Sequence, residues 1–402
     1  MAGSRRAYFR RGLAALGLLS LVILGGCDAG QSASAEPGPH RPPGVQTRAP
    51  RPPQRSAYKV AVVADGLSHP WSIAFLPDDR MLVAERPGRM RIVEPGGRLS
   101  SPIAGLPRVQ ASGQGGLFDV VLDPDFQHNR TLYFSYLEPR RGGQGLTLAR
   151  ARLELMGDGG ALSQLRVLFR AEPTYAGEAN IGGRIVVERG DLFLTVGDRF
   201  AHRDEAQLPA SDLGKVVRIR TDGSIPGDNP FAGRNGARPE IWTLGHRNAE
   251  GLAVNPLTGE LWEVEHGARG GDEVDVIRKG RNYGWPVIAY AVDYSGAKIG
   301  IGSRKAGLEQ PLYEWDPSIA PSGMAFYTAD LFPAWRGDLF VGALKGTHVT
   351  RLVLGARGVI AEEPIAAELH KRIRDVRQGP DGALYLATDE TAGQILKLVP
   401  VR

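Results

Sequence analysis

Cysteine is almost missing from this sequence: Cys27 is the only one in 402 residues. No disulfide can form within one chain, so the fold must rest on packing alone. A membrane-length apolar run is missing too. The longest apolar stretch, residues 12–24, is broken by Ser20 and falls short of the ~20 residues needed to span a bilayer. There is no long amphipathic helical pattern and little aromatic content, 7%. Excess charge is also lacking in most of the chain. The formal net charge is +5, but residues 1–57 hold eight Arg, no Lys, one Asp and one Glu, and so carry +6. Residues 58–402 are left at −1. A near-neutral domain with no basic stripe argues against nucleic-acid binding.

Glycine and proline are plentiful, with 53 and 29 residues. Such punctuation suits many short strands joined by tight turns. The N-terminus reads as an export signal: Arg5, Arg6, Arg10 and Arg11 precede the short apolar stretch. Residues 4–10 resemble a twin-arginine box, and an Arg-rich ordinary leader is the alternative. Leu24-Gly25-Gly26-Cys27 resembles a bacterial lipobox, which makes residues 1–26 a lipoprotein signal peptide and Cys27 the lipidated residue. The expectation is an exported protein, anchored to a membrane by lipid and facing the periplasm or cell exterior. Residues 27–57, with Pro42-Pro43 and Pro52-Pro53, read as an extended tether.

From residue 66 onward one pattern recurs. A short apolar strand is followed by a turn and then a second apolar strand. Ile73-Ala74-Phe75 and Met81-Leu82-Val83 flank Pro77-Asp78-Asp79. Val120-Val121-Leu122, Ile185-Val186-Val187, Leu252-Ala253-Val254, Met324-Ala325-Phe326 and Asp375-Val376-Arg377 open the other five copies. The spacing exceeds the ~40–50 residues of common propeller repeats, which long inserted loops account for. Six such units over residues 58–402 predict an all-β, six-bladed β-propeller.

Longer motifs then become specific. Gly245-His246-Arg247-Asn248 is followed by Gly251-Leu252. The run from Glu265 to Glu273, EHGARGGDE, leads to Asn282-Tyr283-Gly284-Trp285-Pro286. Ala320-Pro321-Ser322-Gly323-Met324, residues 342–346 (GALKG) and Arg372-Ile373-Arg374-Asp375 complete the series. In this order the motifs resemble the glucose/sorbosone dehydrogenase family, in its soluble aldose sugar dehydrogenase branch. The resemblance implies the cofactor pyrroloquinoline quinone (PQQ), Ca²⁺, and a sugar or alcohol substrate oxidised at its C1 hydroxyl. The electron acceptor is not readable.

PQQ is an ortho-quinone with three carboxylates, so its pocket needs fixed cations, preferably Arg. The resemblance assigns Arg247, Lys345, Arg372 and Arg374, with Asn248 and Ser318 as neutral donors. Arg372 and Arg374 are two apart, which puts them on one side of a strand. It further implies a Ca²⁺ on the backbone carbonyls of Gly267 and Ala268, polarising the quinone. A second, structural Ca²⁺ is implied at Glu273, Tyr283, Asp293 and Glu309, where hard oxygen ligands suit the ion. Gln114 is the implied substrate-side contact.

One departure stands out. In the segment Glu178-Ala179-Asn180-Ile181-Gly182-Gly183-Arg184, Asn180 occupies the position of the family's catalytic His. An amide has no useful basicity near neutral pH, and a general base is worth about 10²–10⁴-fold. Glu178, His202 and His266 are the candidates for a replacement base. Two readings follow: a dehydrogenase with altered base chemistry, or a PQQ- or sugar-binding propeller that has lost the activity.

Overall fold

The computed structural model describes residues 46–401 apart from 357. The expected signal peptide, Cys27 and the expected tether up to residue 45 lie outside the described residues. Six antiparallel sheets follow one another along the chain. The first holds Pro70–Phe75, Met81–Glu85 and Arg89–Val93. The second holds Leu117–Leu122, Thr131–Arg140, Gly143–Met156 and Gly159–Arg170. The third runs from Gly182–Glu188 through Asp191–Val196 and Lys215–Arg220 to Ile241–Leu244. The fourth contains Ala249–Val254, Leu261–Glu265, Asp272–Ile277 and Tyr313–Trp315, and the fifth Pro321–Phe326, Leu339–Ala343, His348–Gly355 and Gly358–Ile365. The sixth contains Ile373–Gln378, Leu384–Thr388 and Gly393–Pro400, and its outer strand is the N-terminal Tyr58–Leu67. The first strand of each sheet packs on the first strand of the next, and the sixth returns to the first. The fold is a six-bladed β-propeller, closed by pairing of the two ends of the domain, Val60 opposite Leu398.

Two details correct the sequence expectation. The first blade has three strands rather than four. After Val93 the chain makes two isolated bridges, Val93 to Leu99 and Ala104 to Ala161, and then runs as a loop that carries Gly113 and Gln114 to the wall of a cavity beside the inner strands. The fourth blade has five strands, because Gln46–Thr47 adds in parallel beside Tyr313–Trp315. Residues 46–57 are therefore not tether. The Ala49 N–H donates to the Tyr313 hydroxyl at 2.5 Å. The Ser56 N–H and hydroxyl both donate to Glu363 at 2.7 Å.

Apolar faces between blades form the core. Leu82, Met90 and Ile92 meet Leu132, Phe134 and Tyr136 between the first two blades. Trp262, Val264 and Val274 meet Met324, Phe326 and Val341 between the fourth and fifth. The innermost strands are tied by charge. Arg184 is fully buried and reaches Asp119 at 3.3 Å and Asp375 at 3.0 Å. Arg377 bridges the same two carboxylates, each at 2.8 Å. Four blades are thereby fixed to one another, since Asp375 also accepts from the Ile73 N–H at 3.0 Å. Every innermost strand carries a register irregularity near its start, as between Gly182 and Ile185. Bulges of this kind re-aim side chains at the ends of sheets, and here those ends border the cavities described next.

Candidate functional site

Two cavities open beside these strand starts. The first, of about 300 Å³, is lined by Trp71, Arg86, Gln114, Gly182, Arg372 and Arg374, with Glu250, His266 and Asp389. The second, of about 330 Å³, is lined by Asn180, Asp198, Phe200, Arg247, Ala268 and Trp285, with Arg203, Asp293 and Tyr294. Sequence neighbours divide between them: Asn180 faces the second and Ile181 the first. Arg247 Nη1 donates to the backbone oxygen of His266 at 3.1 Å, which ties the two walls together.

The expected cations are split. Arg372 and Arg374 point into the first cavity, as their spacing on one strand requires. Arg374 is buried and bonds to Glu250 and, at 2.8 Å, to Asp389. Burial works against Asp389, but Arg374 holds its carboxyl well below the ordinary range. Arg372 is 49% exposed and lies 3.5 Å from Asp389. Arg247 faces the second cavity, stacks over Trp285 at 5.4 Å and makes no side-chain ion pair among the described residues. Lys345 is exposed, one residue beyond Leu344, which lines the first cavity. Asn248 and Ser318 are engaged inside the protein. Asn248 accepts from the Gly182 N–H at 3.0 Å and donates to Glu250 at 3.2 Å. Ser318 donates to Asp272 at 2.7 Å.

Arg86 and Trp71 were not legible as site residues. Arg86 donates to the Gly113 carbonyl, and its buried Nε has no hydrogen-bond partner, as is also true of Arg374 Nε. Three guanidinium groups against the two carboxylates Glu250 and Asp389, around one cavity walled by an indole, leave a net positive lining that fits a flat anion such as PQQ.

The metal ligand sets fare differently. Ala268 lines the second cavity, and Gly267 lines a small adjoining space with Glu265 and Glu273. Both therefore lie beside Arg247. The second set is brought together only in part: Glu273 and Tyr283 line that same small space, while Asp293 and Glu309 are engaged elsewhere. Asp293 is half-buried, bonds to Ser295 and faces Arg203 at 3.4 Å. Glu309 lies between Arg281 at 3.5 Å and Arg278 at 3.7 Å. Glu273 instead clusters with Glu265 and Asp275. The Tyr283 ring stacks on His246, with centroids 4.7 Å apart. The long loop carrying Asp293 follows its own turn geometry, which strand periodicity does not encode.

Asn180 sits at φ +50° and is 4% exposed. Its N–H donates to Gln114 Oε1 at 2.7 Å, which confirms these two residues as neighbours. Its side chain turns to Asp198, Nδ2 donating to Oδ1 at 2.9 Å. Asp198 is fully buried and also accepts from the Trp285 indole and the Phe200 N–H, both at 2.7 Å. Burial raises its pKa, and Arg247 opposes the rise. Of the replacement bases, Glu178 is exposed and lines neither cavity. His202 stacks on Tyr175 at 3.5 Å. His266 does line the first cavity, where its Nε2 donates to the Pro321 carbonyl at 2.5 Å. The ionisable group in contact with Asn180 is Asp198. Its place in Gly197-Asp198-Arg199, directly after a strand, was the only sequence signal for it.

Comparison with known proteins adds the following. The chain matches the family described as glucose/sorbosone dehydrogenase over residues 67–397. It is 44% identical over 346 residues to the aldose sugar dehydrogenase YliI of Escherichia coli, covering 85% of this chain and 92% of that one. It is 28% identical over 418 residues to quinoprotein glucose dehydrogenase B of Acinetobacter calcoaceticus, covering 84% and 86%. The crystal structure of the soluble aldose sugar dehydrogenase of E. coli in the apo form superposes with a TM-score of 0.82 at 44% identity, covering 86% of this chain and all of that one. The PQQ-bound aldose sugar dehydrogenase of Streptomyces coelicolor superposes with a TM-score of 0.69 at 27% identity, covering 86% and 99%.

Proposed function

Because the chain belongs to the glucose/sorbosone dehydrogenase family, we propose that it oxidises aldose sugars or related alcohols at the C1 hydroxyl with PQQ as oxidant. The observation that carries this reading is the first cavity, where Arg372 and Arg374 converge with Arg86, Trp71 and Gln114. Bound there, PQQ supplies the two-electron acceptor for the hydride leaving C1. Arg86 and Arg372 hold its carboxylates, while Arg374, already balanced by Glu250 and Asp389, orients them by hydrogen bonds. Gly267 and Ala268 would offer backbone carbonyls to a Ca²⁺, which would supply polarisation of the quinone. Arg247, unpaired in the second cavity, stabilises the negative charge that develops as the substrate hydroxyl loses its proton. Asn180 positions that hydroxyl: its Nδ2 is committed to Asp198, which leaves the amide oxygen as an acceptor. The proton's destination is Asp198, directly or through one water, because it is the ionisable group that adjoins Asn180 and lines the same cavity.

A second reading is favoured by Asn180 itself. With no imidazole at that position, the propeller binds PQQ or a sugar and does not turn over. The test is an absorbance titration of apo-protein with PQQ in the presence of Ca²⁺, followed by reduction of an artificial dye with a panel of aldoses. Binding with turnover supports the dehydrogenase. Tight binding with no reduction by any sugar supports the binding protein. No binding of PQQ removes the dehydrogenase and leaves the second reading as sugar binding alone. We further propose that the protein acts outside the cytoplasm, anchored through Cys27.

A further inference from the structure

We propose that the seam between the third and fourth blades holds a divalent metal ion, bound by Glu263, Glu265 and the Nδ1 atom of His246, with Asp275 completing the set. The proposal starts from strand register. In the fourth blade Leu261 lies opposite Ile277, Glu263 opposite Asp275, and Glu265 opposite Glu273. Side chains two apart share a face, so these six positions form one surface. The alternate residues Trp262, Val264 and Val274 pack toward the fifth blade. Leu261 and Ile277 pack on Val216 and Leu252, which places the first surface against the third blade. The other blade seams fill such positions with apolar side chains. Here four of the six are carboxylates.

Three of these carboxylates are deeply buried, Glu263 at 0% exposed, Asp275 at 1% and Glu265 at 5%, while Glu273 is half-buried. No Lys or Arg forms an ion pair with Glu263, Glu265, Glu273 or Asp275 among the described residues. The nearby ammonium of Lys215 is spent on the carbonyls of Glu205, Ala206 and Leu213, at 2.7–3.1 Å. Arg247 offers Glu265 its backbone N–H, at 2.7 Å, and turns its guanidinium to the second cavity. Buried carboxylate oxygens with no cation beside them are open ligand positions for a metal.

Hydrogen bonding favours the metal. Neither oxygen of Asp275 has a hydrogen-bond partner, and Glu263 faces only His246, so their lone pairs are unused. His246 is set as a ligand. Its Nε2 lies 2.8 Å from the Thr243 hydroxyl and its Nδ1 2.5 Å from Glu263; in the tautomer that donates Nε2–H to Thr243, the Nδ1 lone pair is free to ligate. The ligand atoms of His246, Glu263 and Glu265 lie within 4.8 Å of one another, and Asp275 joins through Glu265 and Glu273. An imidazole nitrogen among carboxylate oxygens suits Mn²⁺ or Zn²⁺, whereas Ca²⁺ takes oxygen alone. The site shares no residue with the calcium ligands that the family resemblance implies, and it does not rest on the dehydrogenase reading.

The test uses the full chain without PQQ. Protein stripped with EDTA is loaded in separate arms with MnCl₂, ZnCl₂ or CaCl₂, and bound metal per chain is measured by mass spectrometry. We expect one equivalent of Mn²⁺ or Zn²⁺ in wild type, lost in Glu263→Gln and in His246→Gln. Stripping should lower the wild-type melting temperature, and reloading should restore it. Two results overturn the proposal. One is wild type that retains no Mn²⁺ or Zn²⁺ after loading, whatever CaCl₂ does to its melting temperature. The other is uptake undiminished in both variants, which places the ion elsewhere. The wild-type arms decide the question even where a variant does not fold.

Discussion

Asn180→His is the sharpest perturbation this site offers. Position 180 has φ +50°, a region where Asn and His are both enriched over most residues, so the backbone tolerates the change. An imidazole there inherits the hydrogen bond that Asn180 makes to Asp198 Oδ1 at 2.9 Å. With Nδ1–H donated to that buried carboxylate, Nε2 becomes a lone-pair acceptor facing the second cavity. A positioned base is worth about 10²–10⁴-fold, or roughly 3–5 kcal/mol of barrier. Dye-linked turnover with saturating PQQ, Ca²⁺ and aldose should rise by that factor. The pH dependence gives the sign. The imidazole accepts a proton only when neutral, so the gain should appear as pH rises through its pKa and vanish below it. Asp198→Asn in the same background should remove most of the gain by freeing the ring orientation. If Asn180→His binds PQQ like wild type but turns over no faster at any pH, the chemistry does not pass through this position.

Arg372 and Arg374 should separate binding from folding. Arg372→Ala, at a half-exposed site, should weaken PQQ binding about tenfold, one charge-assisted bond, with the melting temperature unchanged. Arg374→Ala should weaken binding and also lower stability by about 3–5 kcal/mol, because Glu250 and Asp389 lose their shared buried partner. Glu138 reports on acid stability: burial opposes its ionisation, but Arg170, Arg140 and Thr147 prevail and pull it down to about 2. Its contribution is present above the unfolded value of 4.5 and lost as pH falls toward 2, so Glu138→Gln should flatten the melting-temperature profile in that window. A chain beginning at residue 58 should melt below one beginning at 46, since it lacks the Ser56–Glu363 and Ala49–Tyr313 bonds. Cys27→Ser should abolish membrane association of the expressed protein, tested by fractionation and by mass spectrometry of the mature N-terminus.

The propeller was legible because its signal is local and repeated. Each inner strand is a short apolar run ended by a turn rich in Pro, Asp or Gly, and Ile73, Val120, Ile185, Leu252, Met324 and Val376 all fall on inner strands of the ring. The exceptions are places where tertiary pairing decides. Nothing in residues 46–57 looks like strand, yet Gln46–Thr47 finds the free edge of Tyr313–Trp315. The missing fourth strand of the first blade is likewise a matter of where the chain is needed, since that segment delivers Gln114 to the cavity wall.

The site was legible where two residues share a strand and obscure where blades meet. Arg372 and Arg374 follow from period two alone. That Arg374 arrives already neutralised depends on Glu250 and Asp389, which come from the fourth blade and from a loop 15 residues further on. The same holds for the base. Asn180 reads as a loss when the chain is taken one position at a time. In three dimensions it is one half of a pair whose other half, Asp198, is a buried carboxylate fixed by Trp285 and the Phe200 N–H. Burying that carboxylate costs free energy, which its three donors offset, and it is held in the same cavity as Arg247 and Asn180. That placement is what makes proton transfer at this position worth testing.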